Sequence, residues 1–178
     1  LNTCMELVDK LRDTSQSHDR CSVVEVMGRR AGYLALNVGV AVGATCILVP
    51  EIEFDLQKDV VGRILEMSKT GKKHFIIVVA EGIGHTMDIA AQIENATGIE
   101  TRATILGHVQ RGGSPTLRDR VLASQMGYHA VELLLAGKSN RVVTIRHDSI
   151  SDFDIEEALK MKKPFDRDMY EMAMQISI

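Results

Sequence analysis

Ala103-Thr104-Ile105-Leu106-Gly107-His108-Val109-Gln110-Arg111-Gly112-Gly113-Ser114-Pro115 is the stretch whose reading decides the fold. Its first four residues are apolar or β-branched and read as the end of a strand. That strand runs directly into a histidine, an arginine, two adjacent glycines and a terminating proline. Glycine lets a backbone approach a ligand closely and adopt φ > 0. Arginine offers a planar five-donor fork suited to phosphate or vicinal oxygens. Such a loop at the carboxyl end of a strand is where open α/β sheets place their ligands. A plain surface turn with an exposed arginine is the alternative that these residues alone leave open.

The same pattern occurs twice upstream. Ser22–Val26 is a short β-branched run that ends at Met27-Gly28-Arg29-Arg30-Ala31-Gly32, and Phe75–Ala80 ends at Glu81-Gly82-Ile83-Gly84-His85. Three strand ends that each present polar or charged residues beside glycine point to a small-molecule site. Between them, Met5, Leu7, Val8 and Leu11 lie at helical spacing and predict a helix over about 2–12, broken at Asp13–His18. A strand over Cys21–Met27, a nearly uncharged helix over Gly32–Val42 and a buried strand over Thr45–Pro50 follow. Asp55–Ser68 is amphipathic, with Leu56, Val60, Val61, Ile64 and Leu65 on one side. The Phe75–Ala80 strand, a helix over Met87–Ala96 and the Thr101–Leu106 strand complete the alternation. Strands alternating with helices imply right-handed βαβ units. The predicted class is therefore α/β, a three-layer arrangement of a parallel sheet with helices on both faces. Beyond Pro115 the rhythm changes to a C-terminal, mainly helical segment. A long helix over Thr116–Leu135 stops at Gly137, and a strand over Arg141–Arg146 follows. Polar Asp148–Asp152 leads into two short helices.

Composition narrows the function. The chain has 178 residues, 45% apolar and 25% charged, as expected of one soluble domain or a domain with an appendage. A formal charge of −3 supplies no basic field and argues against nucleic acid as a partner. No apolar run approaches the roughly 18 residues that suggest a membrane span. The start, Leu1-Asn2-Thr3-Cys4-Met5, carries no signal pattern and reads as cut from something longer. Cys4, Cys21 and Cys46 are odd in number and form no CxxC pair, which suits reduced, buried thiols in a cytoplasmic protein. No histidine stands near a cysteine in a nucleophilic arrangement. His74 and His85 read as solvated loop residues, and no pair of histidines has zinc-ligand spacing.

Taken in order, Val23–Arg29, Gly71-Lys72-Lys73-His74, Ala80-Glu81-Gly82, Thr97–Arg102 and Gly107–Pro115 resemble the C-terminal, sugar-phosphate-binding half of bacterial ATP-dependent 6-phosphofructokinases. The likeness covers essentially the whole chain. It implies transfer of the ATP γ-phosphoryl group to the 1-hydroxyl of fructose 6-phosphate, giving fructose 1,6-bisphosphate in glycolysis. It also implies Mg2+ bound with ATP mainly by a preceding domain, a homo-oligomer that is a tetramer, and a cytoplasmic location. Residues 1–109 would be the fructose 6-phosphate domain. Residues 110–160 would pack on the nucleotide domain, and 161–178 would return to the first.

The resemblance assigns roles residue by residue. Arg20 and Arg102 reach across a subunit interface to the 6-phosphate. Met27, Gly28 and Arg29 lie over the sugar, with Arg29 stabilising the transferring phosphoryl group as the catalytic candidate. Glu81, His108 and Arg111 complete the substrate pocket, Glu81 accepting hydrogen bonds from sugar hydroxyls. A histidine titrating near neutrality suits a general base, but the resemblance gives that role to an aspartate of the preceding domain and leaves His108 a binding one. Arg12, Gly43, Lys72, Lys73 and His74 match an allosteric site for a nucleoside diphosphate activator or a phosphoenolpyruvate inhibitor. Thr45 and Thr70 depart from the pattern, standing where many bacterial members carry a glutamate and a basic residue. A hydroxyl does not replace a carboxylate's charge on a hard cation, so effector control is an open point. No metal site is expected within this chain, and the chain alone is expected to be inactive. A pyrophosphate-dependent phosphofructokinase and a non-catalytic sugar-phosphate-binding module are the alternatives.

Overall fold

The computed structural model describes residues 1–176. Phe75-Ile76-Ile77-Val78-Val79-Ala80 is apolar at every position and forms strand β3 (Phe75–Ala80), buried from end to end. A strand that is apolar on both sides needs cover on both faces, and two separate cores supply it. On one face Val24, Ile76 and Val78 pack against Val8, Leu36, Val38 and Ala173. These side chains come from helices α1 (Asn2–Ser17), α2 (Tyr33–Ala41) and α7 (Arg167–Ile176). On the other face Val23, Phe75 and Ile77 pack against Val60, Ile64, Met67, Ile89 and Ile93. Those belong to a π-helical turn (Leu56–Val61) and to helices α3 (Gly62–Lys69) and α4 (Thr86–Thr97).

The sheet has four strands in the order β2-β3-β1-β4, with β1 (Cys21–Val26), β2 (Cys46–Leu48) and β4 (Thr101–Ile105) all parallel to their neighbours. Its register places the functional loops. Val26 stands opposite Ala80, and Glu25 opposite Ile105, so three strands end level with one another. The loops that begin at Met27, Glu81 and Gly107 therefore leave the sheet side by side, while Arg20 and Arg102 sit at the opposite end.

The chain divides into two compact units, one of residues 1–112 and 165–176, the other of residues 113–164. The sheet and its helices form the first. The second contains α5 (Leu117–Leu135), an antiparallel hairpin of β5 (Arg141–Arg146) and β6 (Ser149–Asp154), and α6 (Ile155–Lys160). Helix α5 opens on a capping box, with the Thr116 hydroxyl accepting from Asp119 N–H and the Asp119 carboxylate accepting from Thr116 N–H. Leu133 is the one apolar side chain buried in this unit among its described residues, whereas Leu117, Tyr128, Leu134, Leu135 and Leu159 are exposed. The first unit holds the folding core.

Four expectations change. Helix α1 runs on to Ser17 through the stretch read as a break. Its hydroxyls bond back onto the helix, Thr14 to Lys10 O, Ser15 to Leu11 O and Ser17 to Thr14 O, and buried Ser15 also shares a hydrogen bond with Ser22. Most of Asp148–Asp152, read as a polar lead into helices, belongs to strand β6, because residues 149–154 are each paired in register with β5. The Gly107–Arg111 loop is a 3₁₀ turn. Strand β2 is only Cys46–Leu48, shorter than the Thr45–Pro50 reading. The last two residues of the tail assigned to 161–178 lie outside the described residues.

Phe75 is fully buried at the amino end of β3. Phe75→Ala should lower the unfolding free energy by about 3–5 kcal/mol, read as a shifted midpoint in urea denaturation. A change well below 1 kcal/mol would mean that this core is not closely packed.

Candidate functional site

At the carboxyl edge of the sheet, residues from the three level strand ends line a cleft of about 260 Å³. Its lining is Glu25, Val26, Met27, Glu81, Ile105, Gly107 and His108. The loops are tied directly to one another. Gly82 N–H donates to Gly28 O at 3.0 Å, joining the loop after β1 to that after β3. A Cβ at position 82 would stand 2.3 Å from Arg29 O, so only glycine permits this approach. Gly28 has φ +144°, and a Cβ there would meet Ala31 O at 2.5 Å. The Gln110 carboxamide joins the turn after β4 to the same loop, accepting from Met27 N–H at 3.0 Å.

The charged side chains of this edge are available to a ligand. Arg29 Nη2 lies 3.4 Å from Glu81 Oε1, with the two side chains 82% and 36% exposed. A long, solvated ion pair of this kind contributes little and can be exchanged for a substrate. His108 lines the cleft, and Arg111 closes the same turn in an exposed position. Glu25 is engaged differently, since its carboxylate accepts from the buried Thr86 hydroxyl at the start of α4.

At the amino edge a second cluster forms. Arg20 precedes β1 and Arg102 is the second residue of β4, and the pairing of β1 with β4 brings them together. Glu100 lies between them, with Oε2 2.7 Å from Arg20 Nε, and Oε1 accepting from Arg102 Nε at 3.0 Å and Nη2 at 2.6 Å. Arg20 first, then Arg102, hold the Glu100 carboxyl below its ordinary range. Lys73 Nζ lies 3.5 Å from Asp19 Oδ2 on the same side. The residues expected from the sequence to meet substrate thus fall into two groups at opposite ends of the sheet, with Met27, Gly28, Arg29, Glu81, His108 and Arg111 at one and Arg20 and Arg102 at the other.

The effector-site candidates also lie on the first unit. Arg12 is on α1, Gly43 follows α2 with φ +59°, and Lys72, Lys73 and His74 precede β3. The ammonium of Lys72 is pushed below the ordinary lysine range, mainly by burial and then by the nearby charges of Arg63 and Arg12. Arg12 Nη2 is buried with no hydrogen-bond partner. These two cations therefore share one electrostatic neighbourhood. Thr45 is buried, and Thr70 turns its hydroxyl back to Met67 O at 2.7 Å. A larger concavity of about 760 Å³ beside β2 and α7 shares no lining residue with the cleft and includes none of the candidate residues.

Cys21 and Cys46 are buried, and burial pushes both thiols up to about 12. Burial likewise raises Cys4. None is a nucleophile at neutral pH. Neither the tie between Gln110 and Met27 nor the cleft position of Glu25 has a local signal, because both depend on contacts between distant segments. No helix among the described residues is long and apolar enough to cross a membrane.

The family model described as Phosphofructokinase matches residues 1–134. The chain belongs to the phosphofructokinase family. It is 54% identical over 178 residues to ATP-dependent 6-phosphofructokinases of Bacillus thuringiensis (strain Al Hakam) and Bacillus anthracis (strain CDC 684 / NRRL 3495). Those matches take in 100% of this chain and 56% of each relative, so the chain spans about half the length of the curated relatives it matches. Among solved structures, phosphofructokinase from Saccharomyces cerevisiae superposes with a TM-score of 0.82 at 32% identity, over 89% of this chain and 23% of that one. A pyrophosphate-dependent phosphofructokinase from Marinobacter aquaeolei gives 0.78 at 22% identity, over 97% of this chain and 54% of that one, which is a likeness of fold.

A carboxyl group held below its ordinary range stabilises the fold above that range and stops doing so as pH falls through its lowered value. Glu100→Gln should therefore lower the thermal midpoint at pH 7, with the gap to the unsubstituted protein closing between about pH 5 and pH 3. A gap of constant size across that range would remove the arginine–glutamate charge cluster as its cause.

Proposed function

We propose that this chain is the sugar-phosphate-binding part of an ATP-dependent 6-phosphofructokinase that converts fructose 6-phosphate to fructose 1,6-bisphosphate. The division of the arginines between the two ends of the sheet is the observation that carries the reading. A cleft of about 260 Å³ falls below the roughly 300–1,000 Å³ of complete ligand sites, and Arg20 and Arg102 lie a strand's length away. A five-residue strand spans about 17 Å, too far for Arg102 to serve the His108 cleft of its own chain. A two-fold neighbour can supply both arginines, because an isologous interface presents the same patch twice. The proposed assembly is accordingly a homo-oligomer, and the resemblance to bacterial 6-phosphofructokinases makes it a tetramer in the cytoplasm.

In this proposal the 6-phosphate is held by the neighbour's arginine pair, together with His108 and Arg111. Multiple guanidinium groups suit a phosphate dianion because each forms paired, charge-assisted hydrogen bonds. Glu81 exchanges its long contact with Arg29 for hydrogen bonds from sugar hydroxyls. Arg29 then turns to the transferring phosphoryl group, where negative charge spreads over the equatorial oxygens. The proton of the 1-hydroxyl passes to a base of the nucleotide domain. The oxygen bonds to the γ-phosphorus, and ADP departs. No three metal-ligating side chains cluster among the described residues, and the Glu25 carboxylate is already engaged by Thr86. The residues of this chain do not fit a resident magnesium ion. Magnesium is therefore assigned to the ATP-binding part, and no step here passes through it. At the second site, Arg12, Gly43, Lys72, Lys73 and His74 are proposed to bind an anionic effector, a nucleoside diphosphate or phosphoenolpyruvate. With Thr45 and Thr70 in place, that contact is made through the ligand's anionic groups.

Two outcomes test the reading. The 178-residue chain alone should show no turnover with ATP, magnesium and fructose 6-phosphate in a coupled assay. The full-length enzyme should be active with ATP; activity with pyrophosphate instead would reassign the donor, and none with either would favour a binding module.

In the full-length enzyme, Arg102→Ala should mainly raise KM for fructose 6-phosphate. Arg29→Ala should mainly lower kcat, on the order of 10²–10³ for loss of one transition-state donor. Mixing the two impaired variants should restore part of the activity, since hybrid oligomers contain some sites with both arginines intact. Hybrids that demonstrably form without recovery would place all the arginines of a site on one chain.

A further inference from the structure

We propose that Gln110 is a positioning residue that sets the separation between the Arg29 loop and the turn carrying His108 and Arg111. The inference rests on the proposed function. Its structural basis lies in where the backbone ladder between β1 and β4 ends. The last rung is Leu106 N–H donating to Glu25 O at 3.1 Å. One step further, Met27 N–H donates at 3.0 Å to Oε1 of Gln110. The side chain acts as an extra rung, placed where the two chains begin to part into their functional loops.

Its amide needs both of its ends. Nε2 donates to Gly107 O at 2.8 Å, pinning the side chain to its own turn. Oε1 also accepts from Cys4 Sγ at 2.8 Å, which brings in the first turn of α1. Two donors face the oxygen and one acceptor faces the nitrogen, so a single orientation of the carboxamide satisfies all three partners. Thr3 Oγ1 donates to Gly112 O at 2.9 Å and secures the far end of the turn. Helix α1 thus braces the turn at Gln110 and at Gly112, while Gln110 alone joins it to Met27 among the described contacts. Met27, Gly28 and Arg29 are consecutive, so a shift at Met27 is passed directly to the arginine. Gln110 is half-buried and belongs to the support of the ligand-contacting residues.

A carboxylate of the same size at this position keeps the acceptor for Met27 and Cys4 but turns a lone pair toward Gly107 O, where a donor is required. Full-length Gln110→Glu should lower kcat/KM for fructose 6-phosphate by roughly ten- to a hundredfold, the scale of a misplacement of up to about 1 Å. KM for ATP, oligomeric size and thermal midpoint should stay close to those of the unsubstituted enzyme. A residue that served folding alone would lower the yield or the midpoint without separating the two substrates' KM values. Gln110→Met, of similar length and uncharged, should show the same separation and carries the test if the charged variant does not fold. Folded variants with unchanged sugar kinetics, or failure of both to fold, would overturn the positioning role. The unsubstituted full-length enzyme in the same assay separates the two ideas. Its inactivity would overturn the proposed function, whereas an active enzyme with unaffected variants would overturn only the role of Gln110.

Discussion

Strand β1 is paired on both sides, with β3 as far as Val26 and Ala80 and with β4 as far as Glu25 and Ile105. This shared register is the constraint on which the site depends. A parallel ladder fixes strand ends relative to one another as firmly as it fixes strand middles, so three loops start from a common level. A slip of one residue would turn the alternating side chains to opposite faces and carry Glu25 toward the core that holds Val24 and Val26. The two apolar cores forbid that slip, and the packing of Phe75, Ile77 and Val79 against one layer and of Ile76 and Val78 against the other therefore also positions Arg29 and His108.

The two ends of the sheet use charge differently. At the carboxyl end the contact of Arg29 with Glu81 is long and solvated, and neither group is committed. At the amino end Glu100 is clasped by two guanidinium groups at 2.6–3.0 Å, which partly neutralises them and holds them as a pair. The second compact unit shows a third use, with Arg141 and His129 both turned to the Asp152 carboxylate across the hairpin and helix α5. Polar contacts give order to a unit that buries little apolar surface.

Much of this was legible in the sequence because it is written locally. Six consecutive apolar residues at 75–80 announce a strand covered on both faces, and polar or charged residues beside glycine mark the loops that leave the three strand ends. What was not legible depends on partners far along the chain. Ser15 continues its helix because its hydroxyl has both Leu11 O and the buried Ser22 to bond, and a run of polar residues otherwise looks like a break. Ser149–Asp154 lacks the apolar alternation of a strand and becomes one through its partner β5. Gln110 shows no pattern at all, since its task is to meet Met27 and Cys4 from opposite ends of the domain. The grouping of Arg20 with Arg102 was readable from their places at strand starts, but the Glu100 carboxylate that joins them was not.

The three buried cysteines have a practical consequence. Burial pushes the Cys21 and Cys46 thiols up to about 12, which keeps them protonated at neutral pH and slow toward maleimides and other electrophiles that attack the thiolate. Cys4 is shielded as well, with its sulfur turned to Gln110 in the interior. The native chain is therefore silent toward labelling reagents while folded, and a single cysteine introduced on its surface would carry a fluorophore or spin label without removal of the natural ones. Unmasking of the native thiols would in turn report unfolding of the sheet, because Cys21 and Cys46 become reactive only when its strands separate.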